Sequence, residues 1–212
     1  MTTPKPPDRV LAVDTTEDML SAALRAGGKD YAASVEAGRG HDSMLFTVVE
    51  RLLKKARLAM EDLTALASAS GPGRFTGIRI GMTFCAVAGS RLSVPVIAVS
   101  RLSALAFREA GACRQAGAER VCAVIPGWKE ERYHQLFSCA GALRPLAPPS
   151  WSKPEDWALA WPAIKEGGAA VVEAVPGARE VLAYGLELLS RKRLPAYEPL
   201  YLKPAGYERK TG

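Results

Sequence analysis

Residues 70–81 read Ser70-Gly71-Pro72-Gly73-Arg74-Phe75-Thr76-Gly77-Ile78-Arg79-Ile80-Gly81, and they join two runs of different character. Upstream, Ala65 to Ala69 is a run of small and apolar residues that reads as a short buried strand. Downstream, Ile78 to Leu92 reads as a helix, with Thr76 as its expected N-cap. The joint between them holds glycines at 71, 73 and 77. Glycine reaches backbone angles closed to other residues and lets a second backbone come close. Pro72 fixes φ in the turn. Free N–H groups at a helix start suit an anion. A P-loop, however, ends in Gly-Lys-Ser/Thr, and here Ile78 follows Gly77. Taken as physics alone, a tight turn packed on its own domain is favoured over a phosphate cradle.

On the N-terminal side, Val10 to Val13 is a short apolar run closed by Asp14, a first buried strand. Leu20–Arg25 and Lys29–Glu36 are two more strands, joined by the hairpin signal Gly27-Gly28. After the linker 37–40 a helix is expected from about Asp42 to Ala56. Its apolar residues are Met44, Leu45, Phe46, Val48, Val49, Leu52, Leu53 and Ala56, spread over roughly 200° at about 100° per residue. A helix lying on one sheet needs about half that arc. Leu45, Val48, Leu52 and Ala56 are expected to cover the sheet, and Phe46, Val49 and Leu53 lie past them. The helix after the glycine loop repeats the feature: Phe84 widens its apolar arc, and Gly81, Ala88 and Gly89 admit a close neighbour. The candidate partner surface is therefore Met44, Phe46, Val49, Leu53, Gly81, Met82, Phe84 and Ala88. Val94–Val99 reads as a strand, and Ser100 as the N-cap of a helix to about Ala110, giving the order βββαβαβα.

The second half is less regular. Arg120–Ile125 and Arg132–Cys139 read as strands. Arg144 to Pro162 carries Pro145, Pro148, Pro149, Pro154 and Pro162, so no ordinary helix or central strand is expected there. Ala169–Val175 is one more strand, and Ala178–Arg193 is a helix that stops before Pro195.

A chain of 212 residues, 48% of them apolar, suits one large domain or two small lobes. The opening MTTPKPPDRV lacks the apolar core of a signal peptide, and no apolar run approaches the roughly 20 residues that cross a bilayer. A soluble, cytoplasmic protein with no membrane partner is expected. Cys85, Cys113, Cys122 and Cys139 include no C-x-x-C pair, and the only histidines, His41 and His134, do not cluster, so no metal site is expected. The net charge of +6 is spread out, and its densest run, Arg191-Lys192-Arg193, sits at a helix end where the dipole favours cations. Asp14 is a candidate Mg²⁺ ligand or, more ordinarily, a turn residue. Glu17-Asp18 just beyond it would repel a triphosphate.

GPGRFTGIRIG (71–81), preceded by AVDTT (12–16) and followed by VIAVSRLSALA (96–106), resembles the bacterial TsaB family, also called YeaZ. The resemblance covers the first half strongly and the rest weakly. It implies an actin-like, sugar-kinase-like α/β fold (ASKHA, ribonuclease H-like) of two related lobes, with a first lobe at 1–103 and an eroded second lobe at 104–212 that includes the C-terminal helix. It implies a non-catalytic partner in making threonylcarbamoyladenosine on tRNA. Such a protein binds the transferase TsaD as a heterodimer, with a small ATPase, TsaE, as third partner and tRNA met indirectly. No tightly bound cofactor is implied; ATP and Mg²⁺ belong elsewhere in the complex. Asp14, Gly71, Pro72, Gly73, Phe75, Thr76 and Gly77 then form a motif loop, structural or in weak nucleotide contact. The superfamily's phosphate hairpin needs a glycine after its acidic residue, and Asp14-Thr15-Thr16 lacks it. TsaD resembles a metalloprotein with two histidines four apart; here His41 is followed at that spacing by Leu45, so neither metal catalysis nor peptidase activity is expected. Two departures stand out: Pro126-Gly127-Trp128-Lys129 where the family often has Asp-Ala-Arg, and Lys203 for the usual arginine in the closing segment 198–204. The alternatives are a small ATP-dependent kinase of the same superfamily and a stand-alone homodimeric scaffold.

Overall fold

The computed structural model describes residues 8–37, 41–191 and 194–203, with the backbone alone at 41–43. The chain forms two compact units, Met1–Ala104 with Pro176–Pro199, and Leu105–Val175 with Leu200–Gly212.

In the first unit β1 (Arg9–Asp14), β2 (Met19–Ala26) and β3 (Lys29–Glu36) form an antiparallel meander. The helix α1 (His41–Ala56) follows, then β4 (Ala65–Gly71), α2 (Phe75–Leu92), β5 (Val96–Ser100) and α3 (Arg101–Gln115), whose residues from Leu105 on belong to the second unit. Strands β4 and β5 add in parallel, so the sheet runs β3-β2-β1-β4-β5. Leu11 at its centre faces Leu24 on one neighbour and Leu66 on the other. Both faces of β1 are covered, which is why Val10, Leu11, Ala12 and Val13 are all apolar rather than alternating. Leu66 and Cys85 belong to the core under α1 and α2. The next residue, Ala67, points to the other face, as strand alternation requires.

That other face is covered by α5 (Ala178–Leu189), which the sequence assigns to the second lobe. Its place is in the first unit: Val181, Leu182, Tyr184 and Leu188 are buried, and the Ala178 N–H donates to Ser21 Oγ at 2.9 Å. Small residues make the fit. A Cβ on Gly185 would stand 3.3 Å from that of Ala67. The tail beyond α5 is pinned by Tyr197, whose hydroxyl donates to Met82 O (2.7 Å) and meets Ser68 Oγ (2.8 Å).

The second unit repeats the plan in reduced form. Its central strand β6 (Arg120–Pro126) is antiparallel to β7 (Arg132–Ser138) and parallel to β10 (Ala169–Glu173), as β1 is to β2 and β4. Two short edge pieces, β8 (Arg144–Pro145) and β9 (Ser150–Ser152), lie along β7, where proline is tolerated. This mixed sheet and its reduced echo make the actin-like α/β fold.

The proline-rich segment does hold a helix, α4 (Pro154–Glu166), against expectation. Pro154 stands near its first position, where no N–H is needed, and Glu155 and Asp156 lie at the positive end of its dipole. Pro162 removes a bond from a helix with no buried residue. Helix α3 also outruns its expected end. Gly117, with φ 81°, is the capping glycine, and the Ala118 N–H closes back on Cys113 O. Among the described residues, no helix is long and apolar enough to cross a membrane.

Candidate functional site

The glycine loop is built against the end of β1. Helix α2 begins at Phe75 with Arg74 as N-cap, earlier in the chain than the expected Thr76, because the Arg74 carbonyl takes the first helical bond from the Ile78 N–H (2.9 Å). The Arg74 N–H itself donates to Thr16 O (2.8 Å), and Thr15 Oγ1 donates to Gly77 O (2.6 Å). A Cβ on Gly77 would sit 2.0 Å from Thr15 O, and one on Gly81 2.6 Å from Thr15 Oγ1. Gly71, at φ 107°, holds a conformation that side-chain-bearing residues rarely adopt. These donors and close approaches serve the protein's own hairpin. Phe75 and Thr76 point outward instead, Phe75 beneath the Arg79 guanidinium at 3.9 Å.

Asp14 is buried and spoken for. Its Oδ1 accepts from Thr16 N (2.9 Å) and Thr16 Oγ1 (2.6 Å). Its Oδ2 accepts from Arg101 Nε at 3.1 Å. Arg101 Nη1 also donates to Glu17 Oε1 (2.6 Å) and Pro72 O (2.8 Å), and Nη2 to Pro176 O (3.0 Å). The guanidinium is 0% exposed. One buried cation thus gathers two carboxylates and two carbonyls from three other segments of chain. Glu17, read from the sequence as repelling phosphate, is a partner of this clamp. Sequence reasoning missed Arg101. The available signal was an arginine opening an otherwise apolar helical turn directly after a buried strand.

The remaining chemical candidates are structural. The His41 side chain lies outside the described residues, and Leu45, four on, is core. His134 meets Ser152 Oγ at 2.8 Å, stacks beside Trp157, and has its pKa lowered by burial. All four cysteines are free and buried. Burial raises the Cys85 thiol and pushes Cys122 up to about 11, the reverse of what a nucleophile needs. Among the described residues no group of three His, Cys, Asp or Glu is placed to hold a metal.

The helices α1 and α2 leave an open apolar groove of about 620 Å³. Five of the expected surface residues, Met44, Val49, Leu53, Gly81 and Met82, do not line it. Val49, Leu53, Gly81 and Met82 are buried, the first two at 3% and 7% exposure in the core cluster that Met60, Phe84, Ala88 and Leu92 also pack against, Gly81 against Thr15, and Met82 beside Ile78 and Ala98. The wide apolar arc of α1 is covered largely by its own unit. Met44 is half-buried beside it. Phe46 remains 65% exposed and meets the half-buried Phe84 edge-to-face at 5.4 Å. Val87, also 65% exposed, was missed; its position one turn after Thr83 on an outward row was the signal. Half-buried Ala88 completes the wall, and Arg79, Arg91 and Glu61 are the charged residues of the lining.

A family model described as TsaD, tRNA N6-adenosine threonylcarbamoyltransferase, matches residues 34–198, well over half of the chain. The tRNA threonylcarbamoyladenosine biosynthesis protein TsaB of Escherichia coli K12 is 35% identical over 125 residues, 59% of this chain and 53% of that protein. TsaB of Haemophilus influenzae is 32% identical over 124 residues, 58% and 51% of the two chains. The chain thus spans about half the length of the curated relatives it matches. A solved structure, YeaZ from Pseudomonas aeruginosa, is 26% identical with a TM-score of 0.71, covering 92% of this chain and all of that one. A second Pseudomonas aeruginosa structure, described as an uncharacterized protein with similarity to peptidase YEAZ, has a TM-score of 0.73 at the same identity. The glycine loop that the profile spans, the mixed sheet and the eroded repeat agree with these matches: the chain belongs to the TsaD-type family, within its TsaB (YeaZ) group.

Proposed function

We propose that this protein is a non-catalytic subunit of a tRNA threonylcarbamoyladenosine-forming complex. It docks a TsaD-type transferase on the α1–α2 groove and supports threonylcarbamoyl transfer to tRNA adenosine, with a TsaE-like ATPase as a further partner. The observation that carries the reading is the groove itself, with Phe46 and Val87 each 65% exposed on an apolar surface. Monomeric proteins rarely leave such a patch bare. The Arg101 clamp supports the non-catalytic part: it commits Asp14, the carboxylate a kinase would need for its metal, to a buried guanidinium. The kinase reading accordingly ranks second.

Phe46→Asp and Val87→Asp test this. Each places a carboxylate in a contact that excludes water, which costs several kcal/mol and lowers affinity by on the order of a thousandfold. Both positions are exposed, so circular dichroism should show folded proteins that no longer co-elute with the TsaD-type protein of the same genome. Folded variants that still co-elute would overturn the docking. Micromolar ATP binding by the isolated protein would move the weight to the kinase.

A further inference from the structure

Helix α1 ends in a cluster of cations. From Thr47 to Ala59 the chain carries Arg51, Lys54, Lys55 and Arg57 against one carboxylate, Glu50, a surplus that is half of the +6 of the whole chain. All four cations are exposed, and none lines the groove. At 100° per residue Arg51, Lys54 and Lys55 lie about 80–180° round the helix from Phe46. Other surface arginines have carboxylate partners: Arg9 has Asp62, Arg25 has Asp30, Arg74 has Asp18, and Arg191, in the run that is densest in the sequence, has Glu187. Among the described residues none of the four side chains at the end of α1 makes an ion pair or a hydrogen bond, and Glu50, one turn before Lys54, closes on none of them. The fold does not ask for this cluster. Like charges three and four apart repel along a helix. The dipole offsets this for Lys54 and Lys55 in the last turn, but not for Arg51 a turn further in or for Arg57 beyond the helix. Arg57 stands at φ 57°, in the left-handed region, where the Leu58 N–H closes back on Leu53 O (2.9 Å). That position favours glycine, and the chain places its fourth cation there.

We infer that the end of α1 is a contact for RNA phosphates, through which this subunit touches the tRNA directly. The inference rests on the tRNA-modifying reading above and adds a second macromolecule to the surface of this chain. Charge complementarity carries it. Each lysine or arginine that neutralises a phosphate releases condensed counterions, so cations with no carboxylate of their own suit a polyanion. The four are spaced over about 9 Å of chain at 1.5 Å per residue, within reach of neighbouring phosphates. An acidic protein surface is the competing occupant. Protein interfaces, however, centre on apolar and aromatic anchors and are poor in lysine. This patch holds two lysines, and between Glu50 and Ala59 no large apolar side chain is exposed. Phosphate contacts set position and orientation and read no sequence. The patch therefore orients the tRNA and leaves the choice of base to others.

The full-length protein and a labelled, unmodified tRNA transcript from its genome are the materials, read by fluorescence anisotropy. Wild type should bind in about 50 mM salt and weaken as salt rises, with a slope of log affinity on log salt near about −3 for four phosphate contacts. Arg51→Gln with Lys55→Gln should weaken binding at least about fivefold and make the slope shallower by about 1.5. Arg57→Gly should weaken binding about twofold to threefold while its urea midpoint holds or rises, a split that a merely structural arginine would not give. It also serves if the double variant fails to fold. Lys165→Gln with Arg179→Gln removes the same charge elsewhere, and Phe46→Asp spoils the groove; both should leave tRNA binding within about twofold. Equal weakening by the 165 and 179 changes would reduce the effect to net charge and overturn the inference. A wild type that does not bind, or α1 variants that bind as it does, would overturn it too. If the α1 variants instead keep tRNA and lose the transferase, the patch takes an acidic protein surface, and the inference falls while the docking reading stands. A wild type that binds tRNA through these residues but never co-elutes with the transferase sinks the docking reading and leaves this contact in place.

Discussion

Arg101 shows most clearly what one residue does in this protein. A buried ion pair is a weak source of net stability, since desolvation offsets most of the attraction, but removing one member leaves a buried charge uncompensated. Arg101→Ala would strand Asp14, which is 2% exposed, and leave the Pro72 and Pro176 carbonyls without this donor. We expect a loss of about 3–5 kcal/mol, read as a lower urea midpoint. Arg101→Lys should restore only part of it, because an ammonium cannot reproduce the three-nitrogen fork. A lysine variant as stable as wild type would show that charge alone matters. None of this was legible beforehand. Asp14 announced itself as an acidic residue at a strand end, but its partner lies 87 positions away and only the folded sheet brings the two together.

At the scale of elements, local signals served well where they were complete. The Gly27-Gly28 turn placed the β2–β3 hairpin, with both glycines at positive φ, and the glycine loop placed the β4–α2 joint. They served less well where a neighbour decides. The apolar arc of α1 told how much surface needs cover, not what covers it, so Val49 and Leu53 were assigned to a partner although both lie in the buried core of their own unit. Leu53→Ala should accordingly cost about 2–5 kcal/mol of folding stability, while Phe46→Ala should leave the urea midpoint nearly unchanged. Equal small effects at both positions would mean that α1 is looser than its packing implies. Helix α4 escaped for a related reason: five prolines in 19 residues argue against a helix only until one of them is seen to open it.

For the whole molecule, the two-lobed plan was legible in the order of elements, but the division of the chain was not. The first unit is discontinuous: its sheet comes from the first 104 residues and the helix that closes its second face from 176–199. The reason lies in α5, whose small and apolar face matches Ala67 and Val99 rather than anything in its own half. Read as a timetable for the ribosome, this connectivity imposes a wait. A growing chain finishes β5 long before Pro176 is made, and at roughly 5–20 residues per second the sheet stands with one face bare for on the order of ten seconds. Arg101 waits as long for the Pro176 carbonyl. A nascent chain stopped at Val175 should therefore fail as a whole first unit, not merely lack a tail: we expect insoluble or dye-binding material on expression, and recovery of soluble protein when residues 176–199 are supplied as a separate peptide. A soluble, cooperatively melting 1–175 fragment would mean that the early sheet protects itself during synthesis by other means.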